Sequence, residues 1–321
     1  MTGLSRRRML LGGAGALGAL AWGGAGLARL ARRQGLEVRT RAGVAFGTTV
    51  ALTFAGPEAK PLEAAVARGF AAIRACERAA SLLRPDSALS RLNRDGRLDD
   101  PDPHLLALTR FALDLAASSD GAFDPTVQPL WPLWREAEDS GRPPAPAAFA
   151  RAVALIDWRD AELAEDRIAF RRPGMAMTLN GLLQGYAADR VVGEASALGV
   201  TDLFIDTGEL GARGVSPDGG PWRLGVEATN GAPGRIVAPF SGFAATSAGA
   251  GTPISRDGSV HHIFDPRTGG SPHLVSEVTA FAPSGLVADG LSTAAYVLGE
   301  ARGRALAQRF GASIEVRGSA S

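Results

Sequence analysis

Four short stretches carry the residue types from which a reactive site can be built. The sharpest is Ala288-Asp289-Gly290-Leu291-Ser292-Thr293-Ala294-Ala295. On a helix, Asp289 and Thr293 lie four apart on one face, so a carboxylate and a hydroxyl converge. Hard oxygens of that kind suit Mg2+, which takes one or two protein groups and completes its shell with phosphate oxygens and water. The plain alternative is a first-turn Asp with a solvent-facing Thr. His261-His262-Ile263-Phe264-Asp265-Pro266-Arg267-Thr268-Gly269-Gly270 holds two of the four histidines. Neighbours on a strand point to opposite sides, so one ring can face a site while the other faces away. A general base or phosphate ligand fits this better than zinc, whose ligands would share a face. Gly121-Ala122-Phe123-Asp124-Pro125-Thr126 presents a carboxylate rigidly between an aromatic ring and a proline, or is simply a turn or cap. Thr178-Leu179-Asn180-Gly181-Leu182-Leu183-Gln184-Gly185-Tyr186-Ala187-Ala188-Asp189 reads as a strand entering a helix through Asn-Gly. The N–H groups of such a helix start can seat an anion, unless the segment is a plain left-handed turn.

The elements that must position these residues follow from periodicity and punctuation. Alternation from Val38 to Phe54, punctuated by Gly43 and Gly47, predicts two short strands. After Pro57, Leu62, Val66, Phe70, Ile73 and Cys76 fall at helical steps, and the helix ends near Leu83, before Pro85. The single cysteine, Cys76, is expected as a buried thiol without a disulfide partner in the chain. Asp102-Pro103 opens a further helix that stops at Ser118-Ser119-Asp120-Gly121. Pro-rich residues 140 to 147 connect two helices. Strands are expected at Ile168-Phe170 and Met175-Leu179, then a helix from Leu182 to Leu198. Short strands follow at Asp202-Asp206, Trp222-Glu227, Arg235-Pro239, Gly242-Thr246, His261-Phe264 and Val275-Phe281. A helix pair, Ala288-Leu298 and Ala301-Phe310, leads to a last strand at Ser313-Val316. Strands, helices, strands, helices is an α+β order with mixed or antiparallel sheets.

Forty-one Gly and twenty Pro without a period exclude collagen and coiled coil. The net charge of +1 over 321 residues gives no reason to expect nucleic acid. That charge is unevenly placed. Residues 1–35 hold six arginines and no acid, with Arg6-Arg7-Arg8 ahead of an uncharged run from Met9 to Ala28. This predicts a twin-arginine signal peptide over residues 1–35, followed by one domain over 36–321. The run is long enough to span a bilayer as a retained anchor, but its seven glycines lower its hydrophobicity. Without the six arginines the balance falls to about −5, an acidic body that must hold any pyrophosphate by local groups.

Taken together and in order, these stretches resemble the ApbE family, the FAD:protein FMN transferases. Phe46-Gly47-Thr48-Thr49, Asp86 to Asn93, Gly121 to Thr126 with Pro129-Leu130 and Trp134, Gly185-Tyr186-Ala187 with Asp189, Asp206-Thr207-Gly208-Glu209, Ala245-Thr246-Ser247, His262 to Gly269 and Ala288 to Ala294 carry the likeness. It runs from about Gly43 to Gly299. The resemblance implies an ApbE-like fold with the substrate cleft between two lobes. It also implies a periplasmic enzyme that takes FAD as substrate with Mg2+, moves FMN to a Thr or Ser of a partner, and releases AMP. The implied acceptor is a membrane-associated electron-transfer flavoprotein. By the same resemblance Asp289, Thr293 and the carbonyl of Gly181 would bind the metal, and His262 would be the base. Phe46, Ala122, Phe123 and Asp124 would line the flavin nucleotide, with Thr178, Gln184 and His262 as further contacts.

The chain departs from the family pattern at several of these places. Thr178 stands where the family usually has Asp, Asn180 where it often has Gly, and Gln184 where a charged residue precedes Gly185. Phe46 replaces a Met, and Leu83 an aromatic residue. These departures put the flavin contacts of Thr178, Gln184 and Leu83 in question and keep the metal pair and His262. The chain also resembles, less closely, the twin-arginine-exported NosX branch linked to nitrous oxide respiration. A Mg2+-dependent FAD pyrophosphatase and a non-catalytic flavin-binding protein are the competing readings.

Overall fold

The computed structural model describes residues 35–226 and 235–319. The proposed leader lies outside the described residues, apart from Gly35, and so does Glu227 at the end of one expected strand. Among the described residues no helix is long and apolar enough to cross a membrane. The chain divides into two compact units. Among the described residues, one gathers 35–74, 184–226, 235–245 and Phe281–Ala288; the other gathers Ala75–Leu183, Thr246–Ala280 and 289–319.

The first unit is built on an antiparallel sheet whose neighbouring strands are not all consecutive in the chain. Strand β1 (Glu37–Ala45) pairs with β2 (Thr48–Gly56) in unbroken register, from Glu37 opposite Gly56 to Ala45 opposite Thr48. The two-residue turn is Phe46-Gly47, both in the left-handed region at φ 54° and 78°. That is the backbone a tight hairpin demands; glycine meets it freely and phenylalanine at some cost. Alternation then sorts β2: Val50, Leu52 and Phe54 are buried, each worth about 1.5–3 kcal/mol. β2 continues to β6 (Asp202–Asp206), β6 to β7 (Leu210–Arg213), and β7 to the first residues of β10 (Gly242–Ala248), all antiparallel. Strands β8 (Trp222–Val226) and β9 (Arg235–Phe240) form a separate ribbon. Helix α1 (Ala59–Ala80) presses on this sheet at Gly69, where a Cβ would stand 2.8 Å from Leu52. Leu62, Val66, Ile73 and Cys76 are buried along it, as expected.

The second unit is richer in helices: α2 (Ala88–Asp95), α3 (Pro103–Ser118), α4 (Leu130–Ser140) and α5 (Pro146–Ala154). Asp102 caps α3 by accepting the His104 N–H at 2.8 Å, and Asp120 and Gly121 end it with positive φ. A small antiparallel sheet has the order β3 (Arg97–Asp99), β5 (Arg167–Phe170), β4 (Ala161–Ala164). The rest of β10 is followed in hydrogen-bonded order by β11 (Val275–Ala282) and β12 (Ser313–Ser319). Three helices complete the fold: α6 (Asn180–Ser196), kinked at Gly181 and belonging from Gln184 onward to the first unit, α7 (Gly285–Leu298), divided between the units after Ala288, and α8 (Glu300–Arg309) of the second. The architecture is α+β with antiparallel sheets, as the element order indicated.

Two expected strands are not strands. Met175, Met177 and Leu179 are buried in alternation with half-buried neighbours, yet this segment has no sheet partner. Asn93 serves it instead: its Nδ2 donates to the Met177 carbonyl at 2.8 Å and its Oδ1 accepts the Met177 N–H at 2.7 Å. His261-Phe264 makes only an isolated bridge, His261 to Pro253. Of the two glycines that punctuate the expected strands, only Gly47 lies in the turn, while Gly43 pairs with Val50 inside the ladder.

Candidate active site

The Ala288 to Ala294 segment lies within α7, so Asp289 and Thr293 do share one helical face. Glycine at position 290 sets the helix down: a Cβ there would stand 2.7 Å from Leu115 and from Leu182. The opposite constraint holds at Gly181, where a Cβ would lie 2.8 Å from Thr293 Oγ1. Gly181 is not left-handed (φ −82°, ψ 21°); its small size lets the kinked start of α6 approach Thr293. Asp289 is 4% exposed, Thr293 half-buried. Ser247, on β10, stands 3.3 Å from Thr293 Oγ1, and its Oγ is 2.8 Å from Ser292 Oγ.

This neighbourhood is a set of hard oxygens: one buried carboxylate, three hydroxyls and the backbone at Gly181. Among the described residues no group of three or more His, Cys, Asp and Glu comes together. Few protein ligands, all oxygen, fit a Mg2+ that takes its remaining ligands from phosphate and water. The residues present therefore fit the ion that the resemblance implies.

The two histidines differ in environment. His261 is buried, and both its ring nitrogens are engaged: Nε2 donates to the Pro272 carbonyl at 3.1 Å, and Nδ1 accepts the Ile263 N–H at 3.3 Å. Its ring stands edge-on to Tyr296 of α7, with centroids 5.5 Å apart. His262 keeps partial exposure. Its Nδ1 faces the Thr252 carbonyl at 3.3 Å. A carbonyl can only accept, so Nδ1 carries the proton and Nε2 offers its lone pair. Burial first and the neighbouring His261 second push the His262 pKa down to about 4, against the Thr252 hydrogen bond that raises it. The ring is neutral at ordinary pH and able to accept a proton.

Asp124 is tied inward. Its Oδ1 accepts the Thr126 N–H at 2.8 Å and the Thr126 hydroxyl at 2.6 Å, and its Oδ2 accepts the Trp158 N–H at 3.0 Å. Burial nevertheless holds its carboxyl above the usual range, since desolvation outweighs these bonds. Ala122 and Phe123 are buried beside it. The Thr178 N–H donates to the Pro125 carbonyl at 2.7 Å, which joins the Asp124 turn to the strand-like approach to Gly181. Thr178 Oγ1 accepts the Asn180 N–H at 3.3 Å, so it caps α6.

Ala122, Phe123, Asp124, Thr178, Gly181, His262, Asp289 and Thr293 all belong to the second unit. Phe46 and Gln184 belong to the first. Phe46 occupies the hairpin turn. Gln184 Nε2 donates to the Thr207 carbonyl at 2.8 Å, and the Thr207 hydroxyl donates to the Gln184 carbonyl at 3.0 Å, tying α6 to the Asp206-Thr207-Gly208-Glu209 turn. Asp206 accepts the Gly208 N–H there, with its carboxyl raised by burial. Asp189 accepts the Ser284 hydroxyl at 2.7 Å and the Gly285 and Leu286 N–H groups at 2.8 and 2.9 Å. It is therefore a cap for α7, supplied from 96 residues away for Gly285. Sequence reasoning singled out the Asn93 and Asp189 segments without roles, and the spacing gave no signal for either.

The chain is similar to known proteins over most of its length. The model of the ApbE family matches residues 46–317. A FAD:protein FMN transferase of Treponema pallidum is 30% identical over 295 residues, 84% of this chain and 82% of that one. One from Klebsiella pneumoniae is 27% identical over 290 residues, 85% and 82% of the two chains. The crystal structure of the apo flavinyl transferase ApbE of Pseudomonas stutzeri superposes with a TM-score of 0.76 at 31% identity, covering 88% of this chain and 91% of that one. The fold, the ordered set of segments and these likenesses agree: the chain belongs to the ApbE family.

Proposed function

We propose that the chain is a FAD:protein FMN transferase that works with Mg2+, moving the FMN half of FAD onto a Thr or Ser hydroxyl of a partner protein and releasing AMP. The observation that carries the reading is the oxygen set on one face of α7, with Thr293 Oγ1 close against Gly181. Asp289, Thr293 and the Gly181 carbonyl would hold the ion. When bound, Mg2+ offsets charge on the phosphates as the anhydride bond breaks. His262 Nε2 takes the proton of the acceptor hydroxyl, whose oxygen bonds to the FMN phosphorus while AMP leaves with the bridging oxygen. Ala122, Phe123, Asp124 and Thr178, all of the second unit, would contact the flavin nucleotide. The arginine-led leader would send the protein to the periplasm by the twin-arginine route, where a membrane-associated electron-transfer protein is the acceptor.

Co-expression with candidate membrane electron-transfer proteins tests this by in-gel flavin fluorescence. A fluorescent acceptor band that disappears for Asp289→Ala is expected; a band that persists in that variant removes the metal assignment. Purified protein with FAD and Mg2+ alone separates the competing hydrolase: FMN and AMP formed at full rate without any acceptor would replace transfer by pyrophosphatase activity. FAD bound with neither product would leave a binding protein.

A further inference from the structure

The three hydroxyls beside Asp289 form a chain whose proton directions can be worked out. Ser292 Oγ donates to the Asp289 carbonyl at 2.9 Å. A helical serine often makes such a backbone bond, but here it uses the one proton of Ser292. Ser292 Oγ is 2.8 Å from Ser247 Oγ, so in that contact Ser247 must donate. The single proton of Ser247 is then used as well. In its 3.3 Å contact with Thr293, Ser247 can only accept, so the Thr293 hydroxyl donates to it. Ser247 and Ser292 are both buried, at 7% and 1% exposure, so water does not readily replace either partner.

We infer that Ser247 and Ser292 are positioning residues that turn the Thr293 hydroxyl proton toward β10 and leave the Thr293 lone pairs for a divalent cation. A hydroxyl binds a cation only through its lone pairs, and a neighbour that holds the proton fixes where they point. The direction runs from Thr293 through Ser247 and Ser292 to the Asp289 carbonyl, so the chain begins at one proposed ligand and ends on the backbone of the other. This inference rests on the assignment of Thr293 as a metal ligand.

The test measures Mn2+ affinity of the full chain at saturating FAD, from the electron paramagnetic resonance signal of the free ion. Ser247→Ala is expected to weaken Mn2+ binding about tenfold, within the range for groups that orient a ligand. Ser292→Ala takes away the acceptor for the Ser247 proton and weakens binding as well. Because the hydroxyls act in series, the double variant should bind no more weakly than Ser247→Ala, whereas independent sites would add their free energies. Ser247→Thr, which keeps a hydroxyl, should recover most of the loss. Wild-type affinity in Ser247→Ala, or losses that multiply in the double variant, would overturn the relay. Thr293→Val separates the two levels. Weakened binding there with Ser247→Ala unchanged refutes only the relay; unchanged binding there removes the ligand assignment and the relay together. Should Ser247→Ala not fold, Ser292→Ala against Ser247→Thr carries the same comparison: loss in the first with retention in the second supports the relay, and retention in both overturns it.

Discussion

Replacement of Asp189 by alanine should loosen the first turn of α7 without touching any group proposed to meet substrate. The side chain accepts from one hydroxyl and two backbone N–H groups, at 2.7 to 2.9 Å. Loss of an N-terminal cap costs about 0.5–2 kcal/mol, and a carboxylate near the positive end of a helix contributes roughly another 0.3–1 kcal/mol. Asp189 is only half-buried, so water can reach part of the vacated turn, and the sum stays near 2 kcal/mol. Ser284 is a poor substitute, because its Oγ meets the Val287 N–H only at 3.4 Å. Asp189→Asn keeps one acceptor oxygen but sets an amide N–H against a backbone N–H, so about half the loss is expected. Urea unfolding measures the stability, and hydrogen exchange at Gly285 and Leu286 locates it. The function offers a second readout. Asp289 follows Gly285 by about one turn, so the variant should need more Mg2+ for half-saturation of transfer and keep most of its rate at saturating Mg2+. Stability within about 0.5 kcal/mol of wild type, together with unchanged exchange at those two amides, would refute the capping argument.

Other outcomes follow from the same geometry. Asn93→Ala strands the Met177 N–H and carbonyl; with about 1–3 kcal/mol for each buried unsatisfied group, a loss of roughly 3 kcal/mol is expected in urea unfolding. An effect no larger than that of a surface substitution would contradict the clamp. Asp289→Asn keeps shape and removes charge; FMN transfer at fixed Mg2+ should fall about a hundredfold or more, and partial recovery at high Mg2+ is the signature of a weakened ligand. For His262 the folded pKa of about 4 lies below the unfolded value near 6.5. Its contribution to stability is therefore complete above pH 6.5 and is lost as pH falls from there towards 4, while the unfolded chain takes up the proton first. Partial exposure of the ring reduces the effect to about 1–2 kcal/mol. Urea midpoints of His262→Gln should fall less steeply over that window, and parallel curves for the two proteins would refute it.

What was legible in the sequence was local. The β1–β2 hairpin, the Asp102 cap with its stop at Asp120-Gly121, and the i, i+4 pair Asp289 and Thr293 each rest on neighbours within one or two turns of chain. Met175-Leu179 shows the limit of pattern. It has the alternating burial of a strand, but whether a partner strand lies alongside is decided elsewhere in the chain, and here Asn93 takes that place from 84 residues away. Strand β7, four residues of Leu-Gly-Ala-Arg, has too short a signal to stand out, and α2, capped by Ser87 and ended by Gly96 at φ 73°, is only eight residues long, too short for its buried Ala88, Leu89 and Leu92 to show a helical period. In the site, helical spacing found the carboxylate and one hydroxyl. The convergence of Ser247 on Ser292, 45 residues apart, depends on β10 lying beside α7, which no periodicity records.

The division into two units has a consequence for how the protein is made. Every boundary between them falls inside a helix or strand: α1 after Arg74, α6 after Leu183, β10 after Ala245, β11 after Ala280 and α7 after Ala288. The first unit lacks its last segment until residue 288 has been synthesised, and the second until the final strand has been added. Neither can mature on the ribosome as an N-terminal domain ahead of the rest, the usual order for chains of several domains. Folding must wait for a nearly complete polypeptide, so a transporter that threads unfolded chain as it emerges and one that accepts only finished protein would meet this molecule in very different states. The leader proposed here addresses it to the second kind.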